Sequence, residues 1–173
     1  MIFVKGYELD RIQVWRDPFG SFSVNRDMAW QTVQSLYAIA SGGLFGLGLG
    51  QSRQKYSYLP EPHNDFVYAI VVEELGVVGA MIVLFLFMLL IIRGFWIALH
   101  ARDRFGTLLV SGVTTLLAIQ VFLNVAVVTN LIPVTGISMP FFSYGGSSLL
   151  ILMAEMGIIL SVSRRLPAYR QGG

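Results

Sequence analysis

The sequence has no cysteine, which excludes disulfide frameworks, thiol nucleophiles and cysteine-ligated metal sites. Charge is scarce as well: Asp, Glu, Lys and Arg make up 13% of the 173 residues. An average soluble domain carries roughly 25%, so there are too few charges here to coat a water-soluble globule of this size. Histidine is limited to His63 and His100, too few and too far apart for a zinc motif. A basic stripe is also missing. The net charge of +2 and the pI of about 9.1 come from bases scattered over termini and connectors, which argues against a nucleic-acid partner. Apolar residues are abundant instead. They make up 55% of the chain, the mean hydropathy is +0.68, and the composition is that of a membrane protein.

Residues 75–92, between Glu74 and Arg93, carry no charge, and neither does the interval between Arg104 and Glu155. The second interval is too long for one span, and Pro133, Gly136 and Pro140 divide it. A bilayer core takes about 20 apolar residues per helix. The pattern therefore predicts an all-α polytopic membrane protein with three transmembrane helices, at about 66–93, 105–130 and 146–163. Arg93, Arg102 and Arg104 flank the first link, Arg164, Arg165 and Arg170 follow the third span, and the 131–145 connector is uncharged. The positive-inside rule puts the first link and the 164–173 tail in the cytoplasm, and 131–145 outside. Residues 1–65 then form a large extracellular or periplasmic segment. A polar stretch of that length needs an earlier span to carry it across, and Met1-Ile-Phe-Val4 reads as the end of such a helix. The chain is accordingly expected to be the C-terminal part of a larger polytopic membrane protein.

Within the outer segment, residues 27–41 predict one amphipathic helix, interfacial or re-entrant. Met28, Trp30, Val33, Leu36, Tyr37 and Ala40 form its apolar side, and Gln31, Gln34 and Ser35 its polar side. Five glycines crowd residues 42–50. No strand precedes them and the spacing is not G-x-G-x-x-G, so they predict a tight, closely packed turn rather than a nucleotide loop.

The polar groups with chemical potential gather just before the first span. Asp65 stands where loop meets helix, beside Arg53, Lys55, Glu61 and His63 in a segment stiffened by Pro60 and Pro62. Asn64 or Asp65 could cap the helix; alternatively Asp65 could act as general base on a lipid-linked substrate whose phosphates the cations hold. Glu73 and Glu74 lie eight and nine residues further on, roughly 12–14 Å along the helix, and Glu155 falls at a comparable depth in the third span. Such intramembrane acids are read as a structural hydrogen-bonded cluster, with a proton or ion path as the alternative. Ser147 or Ser148 can cap the third span, and no base lies near enough in sequence to make either a nucleophile. Phe141, Phe142 and Tyr144 suit an outer aromatic belt, and Trp96 an inner one.

Three stretches together resemble one family. They are Gln34-Ser-Leu-Tyr-Ala-Ile-Ala-Ser-Gly-Gly-Leu-Phe-Gly-Leu-Gly-Leu-Gly50, then Tyr58-Leu-Pro-Glu-Pro-His-Asn-Asp-Phe66 with Glu73-Glu-Leu-Gly76, and Ile132-Pro-Val-Thr-Gly-Ile-Ser-Met-Pro-Phe-Phe-Ser-Tyr-Gly-Gly-Ser-Ser148. The likeness is to the SEDS family (shape, elongation, division and sporulation; FtsW, RodA and SpoVE), over about Asp17 to Arg164. Arg11 to Gly20 resembles the start of that family's outer loop more loosely, and the Leu47–Lys55 run is nearer to FtsW and SpoVE than to RodA.

The resemblance implies a ten-span glycosyltransferase that polymerises lipid II into peptidoglycan outside the cell, of which this chain is the last three spans and the loop before them. The family's catalytic aspartate falls on Asp65. Arg53, Lys55, Glu61, His63, Thr135, Ser143, Tyr144 and Ser147 become candidate substrate-binding residues. Some relatives have a lysine where Thr135 stands, so no cationic role carries over there. No cofactor is firmly implied; a divalent cation at the pyrophosphate is the alternative to Arg53 and Lys55. The implied partners are lipid II, polyprenyl-pyrophosphate-linked glycan, a single-span class B penicillin-binding protein and the missing N-terminal spans. Without those spans the chain alone is expected to be inactive. A lipid II flippase and a non-catalytic scaffold are the competing functions.

Overall fold

A computed structural model describes residues 2–21, 26–48, 50, 66–142 and 146–166. All the regular structure among them is helical: α1 (Ile2–Arg16), α2 (Arg26–Gly42), α3 (Val67–Leu99), α4 (Arg104–Val128) and α5 (Gly146–Ser163). The last three are long and apolar enough to cross a membrane, as their uncharged runs predict. The segment before the first span holds a second helix, α1, that periodicity does not show. α1 mixes Gly6, Glu8, Asp10 and Arg11 with apolar residues, so no periodic face marks it in the sequence; it is held by tertiary contacts, with Val14 buried against Ala29 of α2.

α3 packs most extensively on α4 and α2. Its core, with Phe66, Ala69, Val72, Phe87, Val121, Val128 and Met139, runs from the start of α3 to its middle beside the C-terminal half of α4. α4 begins at Asp103, whose carboxylate accepts the Gly106 N–H at 2.8 Å, an N-cap that satisfies one orphan donor. It ends in a Schellman turn. Asn130 takes a left-handed φ of 56°, and the Leu131 and Asn130 N–H groups return to the carbonyls of Ala126 and Val127, as such C-caps require.

α2 corrects the amphipathic reading in one respect. Its polar side packs inward: Gln34 is 7% exposed and Ser35 fully buried, whereas Tyr37 is 52% exposed. In lipid there is no drive to hide apolar side chains, and close packing favours small residues instead. The same rule joins α3 to α4. A Cβ on Gly94 would fall 2.8 Å from the Thr114 methyl carbon and 2.5 Å from its hydroxyl. Gly94→Leu should therefore push these helices apart and cost about 1–3 kcal/mol, read as a lower midpoint in an SDS or thermal unfolding titration. An unchanged midpoint would show that the two helices do not meet there.

Candidate functional site

The break in α3 organises the end of the molecule where α2 packs on α3. Gly76 has φ 71° and ψ −178°, a region essentially open to glycine alone. In a continuous helix the Glu73 and Glu74 carbonyls would accept from the N–H groups of Val77 and Val78. Here all four groups turn to the glycine-rich turn after α2. Leu47 and Gly48 donate to the Glu73 and Glu74 carbonyls at 2.9 and 3.0 Å, while Val77 and Val78 donate to the Gly43 and Leu44 carbonyls at 3.0 and 3.3 Å. Two intrahelical bonds are thus exchanged for four bonds to the turn, so the kink leaves none of these groups orphaned. The fit requires three bare Cα atoms. A Cβ on Gly42 would strike the Val72 carbonyl, one on Gly46 the Glu74 carbonyl, and one on Gly76 the Leu44 carbonyl and the Gly46 N–H.

This interlock holds the approach to the 51–65 segment. Residues 47–48 are bonded to α3 on one side, and on the other Phe66, which directly follows Asp65, is buried at 2% exposure in the core. Asp65, Arg53, Lys55, Glu61 and His63 themselves lie outside the described residues, as do Ser143 and Tyr144. Phe66 occupies the N-cap position of α3 and supplies no side-chain cap; the capping alternative at Asn64 or Asp65 lies outside the described residues.

Glu73 is buried at 1% exposure. Glu74 is half-buried, and its Oε1 is enclosed without a hydrogen-bond partner. The stretch from Val77 to Leu99 has 23 residues, about 35 Å of helix, enough to cross a bilayer unaided. The two glutamates therefore stand at the head of a complete span. Glu155 is elsewhere, on α5, in a cavity shared with Gln120 of α4. Among the described residues no three His, Asp or Glu side chains are grouped to hold a metal.

That cavity, about 390 Å³, lies between α4, α5 and the connector, and Ser138, Ser147 and Ser148 join Gln120 and Glu155 in its wall. α5 starts at Gly146, so Ser147 and Ser148 sit in its first turn, where unpaired N–H groups favour negative charge. The connector that forms the cavity's rim returns into the bundle instead of crossing over its top. Arg11 Nη1 donates to the Val134 carbonyl at 3.0 Å; Trp15 Nε1 donates to the Asn130 carbonyl at 3.0 Å; Asn130 Nδ2 donates to the Trp15 carbonyl at 3.3 Å. From the other side Asn124 Nδ2 holds the Ile137 carbonyl at 2.9 Å. Thr135 is exposed between these ties. Phe141 and Phe142 lie 6.2 and 6.3 Å from the ring of Phe87, roughly 16 Å along α3 from Gly76, well down the span from the level expected of an outer belt. Trp96 stacks on His100 and lies under the Arg93 guanidinium at 4.3 Å.

Gln120 and Asn124 were missed in the sequence, although they are the only amides in the 105–128 run and stand one helical turn apart. That spacing puts them on one face and was a usable signal. Asn124 is fully buried. Asn124→Leu should strand the Ile137 carbonyl and lower stability by about 1–3 kcal/mol, with faster proteolysis in the connector; proteolysis and melting equal to the parent would contradict the tie.

The family of cell cycle proteins that includes FtsW, RodA and SpoVE matches residues 1–167. Stage V sporulation protein E of Bacillus subtilis is 53% identical over 150 residues, covering 87% of this chain and 39% of that protein. A probable peptidoglycan glycosyltransferase FtsW of the same organism is 48% identical, covering 90% and 38%. Among solved structures, one described as structural coordination of polymerization and crosslinking by a peptidoglycan synthase complex aligns with a TM-score of 0.69 at 30% identity, over 93% of this chain and 43% of that chain. The chain spans about two fifths of the length of these relatives.

Proposed function

Because this chain belongs to the FtsW, RodA and SpoVE family of membrane proteins, we propose that it is the C-terminal part of a glycosyltransferase polymerising lipid II into peptidoglycan strands, with Asp65 as general base. The observation that carries the reading is the interlock. It ties the residues before the 51–65 segment to α3, while buried Phe66 fixes the residue after it. The segment that carries Asp65, Arg53 and Lys55 is thus joined at both ends to anchored residues, which would lower the entropic cost of placing Asp65 against a substrate.

In this mechanism Asp65 takes the proton from the 4-hydroxyl of the acceptor lipid II as that oxygen attacks the anomeric carbon of the growing strand. The bond to polyprenyl pyrophosphate breaks, and the leaving diphosphate's charge is met by Arg53 and Lys55. One displacement inverts the anomeric centre. The Ser147 and Ser148 cavity would line the same chamber, with the α5 N-terminus favouring anionic groups. No step depends on a divalent cation. A class B penicillin-binding protein would cross-link the product, and the outer segment would lie outside the cell.

The test is the whole protein with its partner, given lipid II and scored for glycan polymer on a gel. A polymer ladder is expected, and its absence in an intact, partner-bound preparation overturns the reading. Glu74 supports one competitor, since an enclosed carboxylate oxygen without a partner is the kind of group a lipid II flippase could use. Glu74→Gln should leave polymerisation within about threefold of the parent if the glycosyltransferase reading holds. Loss of lipid transport with polymerisation intact would favour the flippase.

A further inference from the structure

The opposite end of the bundle holds a second, unrelated feature. Where the α3–α4 link meets the turn leaving α5, Arg102, Asp103, Arg164, Arg165 and Leu166 enclose a groove of about 680 Å³. Its geometry is built. Leu166 is 2% exposed and packs with Ile97, Ala98, Val110 and Ile159. The N–H groups of Arg164, Arg165 and Leu166 continue the last turn onto the Leu160, Val162 and Ser163 carbonyls. The two arginines are therefore held against the start of α4 rather than trailing from a tail. Asp103, the one acid lining the groove among the described residues, caps α4, and it is also the only acid between Glu74 and Glu155. Residues 167–173, which follow in the sequence, contain Arg170 and no acidic residue. Three arginines against one carboxylate leave the described lining of the groove net positive, so charge complementarity calls for an anion brought from outside.

A mainly apolar cavity of about 320 Å³ lies between the same three helices; Ile97, Leu117, Met156, Ile159 and Leu160 line it, and Arg93, Thr114 and Ser163 also stand in its wall. Ser163 is the residue next to Arg164. A cationic groove and an apolar slot therefore meet at the last turn of α5, at the end of two membrane-length helices. Guanidinium forks suit phosphate oxygens, and an apolar slot suits an acyl chain; one molecule that carries both is a phospholipid.

We propose that this groove is a specific site for an anionic phospholipid, with the phosphate on Arg102, Arg164 and Arg165 and part of an acyl chain in the adjoining slot. The shared chemistry is a phosphate, and a free phosphate is the other source of it. The site is independent of the glycosyltransferase reading and stands if that reading fails. Basic ends of membrane helices also attract anionic lipid diffusely, so the test separates a saturable site from that background.

The full chain in detergent micelles is titrated with phosphatidylglycerol or phosphatidylcholine, and bound lipid is counted by native mass spectrometry. Phosphatidylglycerol should saturate at one per chain, and phosphatidylcholine should fail to displace it. The variant R102Q/R164Q/R165Q should weaken retention at least tenfold. All three side chains are exposed, so helicity by circular dichroism should match the parent. Leu160→Trp, at a position 63% exposed, fills the slot without changing charge and should weaken retention severalfold. Retention by the triple variant equal to the parent, or uptake that rises without saturating, overturns the site. Displacement by inorganic phosphate at equal phosphate concentration, with Leu160→Trp silent, assigns it to a free phosphate and overturns the lipid.

Discussion

Asp65→Asn is expected to lower glycan polymerisation by the whole protein about 10²–10⁴-fold, the range for losing a positioned general base, with expression and partner binding unchanged. Asparagine keeps the size and the hydrogen-bonding reach of the side chain but cannot accept the proton released by the attacking hydroxyl. The fold has little reason to respond. α3 starts at Phe66 without a side-chain cap, and its first turn is anchored by Phe66 in the core and by the Ala69 and Ile70 N–H groups on the Phe66 carbonyl. Product formation on a gel, normalised to protein that still co-purifies with its partner, is the measurement. If Asp65→Asn polymerises like the parent, the catalytic assignment is wrong whatever the fate of the family-level reading.

The second large effect concerns structure. Gly76→Ala and Gly46→Ala should each unseat the glycine turn from α3. The first violates a backbone region closed to alanine, and its Cβ would also strike the Leu44 carbonyl. The second drives a Cβ into the Glu74 carbonyl at a φ of 77°. Relieving either clash breaks bonds between the turn and α3, and the cost should be about 3 kcal/mol or more. Gly43 provides an internal control, because its φ is also positive, at 52°, yet nothing lies within 4 Å of its added Cβ. Gly43→Ala should cost only about 1–2 kcal/mol. Unfolding midpoints for the three variants, with protease sensitivity across 43–65, give the comparison. Equal effects at Gly43 and Gly46 would mean that backbone conformation alone, and not the interlock, sets the sensitivity. If the proposed function is right, Gly46→Ala should also depress polymerisation, since the tether of the Asp65 loop is released without touching Asp65.

Much of the molecule could be read without coordinates because lipid imposes simple rules. A span must be about 20 residues long and nearly free of charge, so Glu74, Arg93, Arg104 and Glu155 bracket the apolar runs almost by themselves. The Pro and Gly residues at 133, 136 and 140 mark where the second run must stop. The five glycines of 42–50 mark a close approach, and the Pro-Glu-Pro-His-Asn-Asp segment stands out for its density of polar groups. α1 was not visible, because a helix of mixed composition held by tertiary contacts leaves no periodic trace.

What the chain by itself determined is therefore the class of protein, the number of its spans and the short list of residues with chemical potential, since these follow from composition and run length. The tertiary structure alone decided that the turn at 43–48 trades hydrogen bonds with a broken α3, and that the polar side of α2 is buried. It alone also showed that the 131–142 connector re-enters beside Asn124, and that three arginines distant in sequence share one groove. Each of these depends on backbone groups or side chains from separate helices meeting in space. Hydrogen bonds of that kind are specified by no local pattern, only by the packing that brings the helices together.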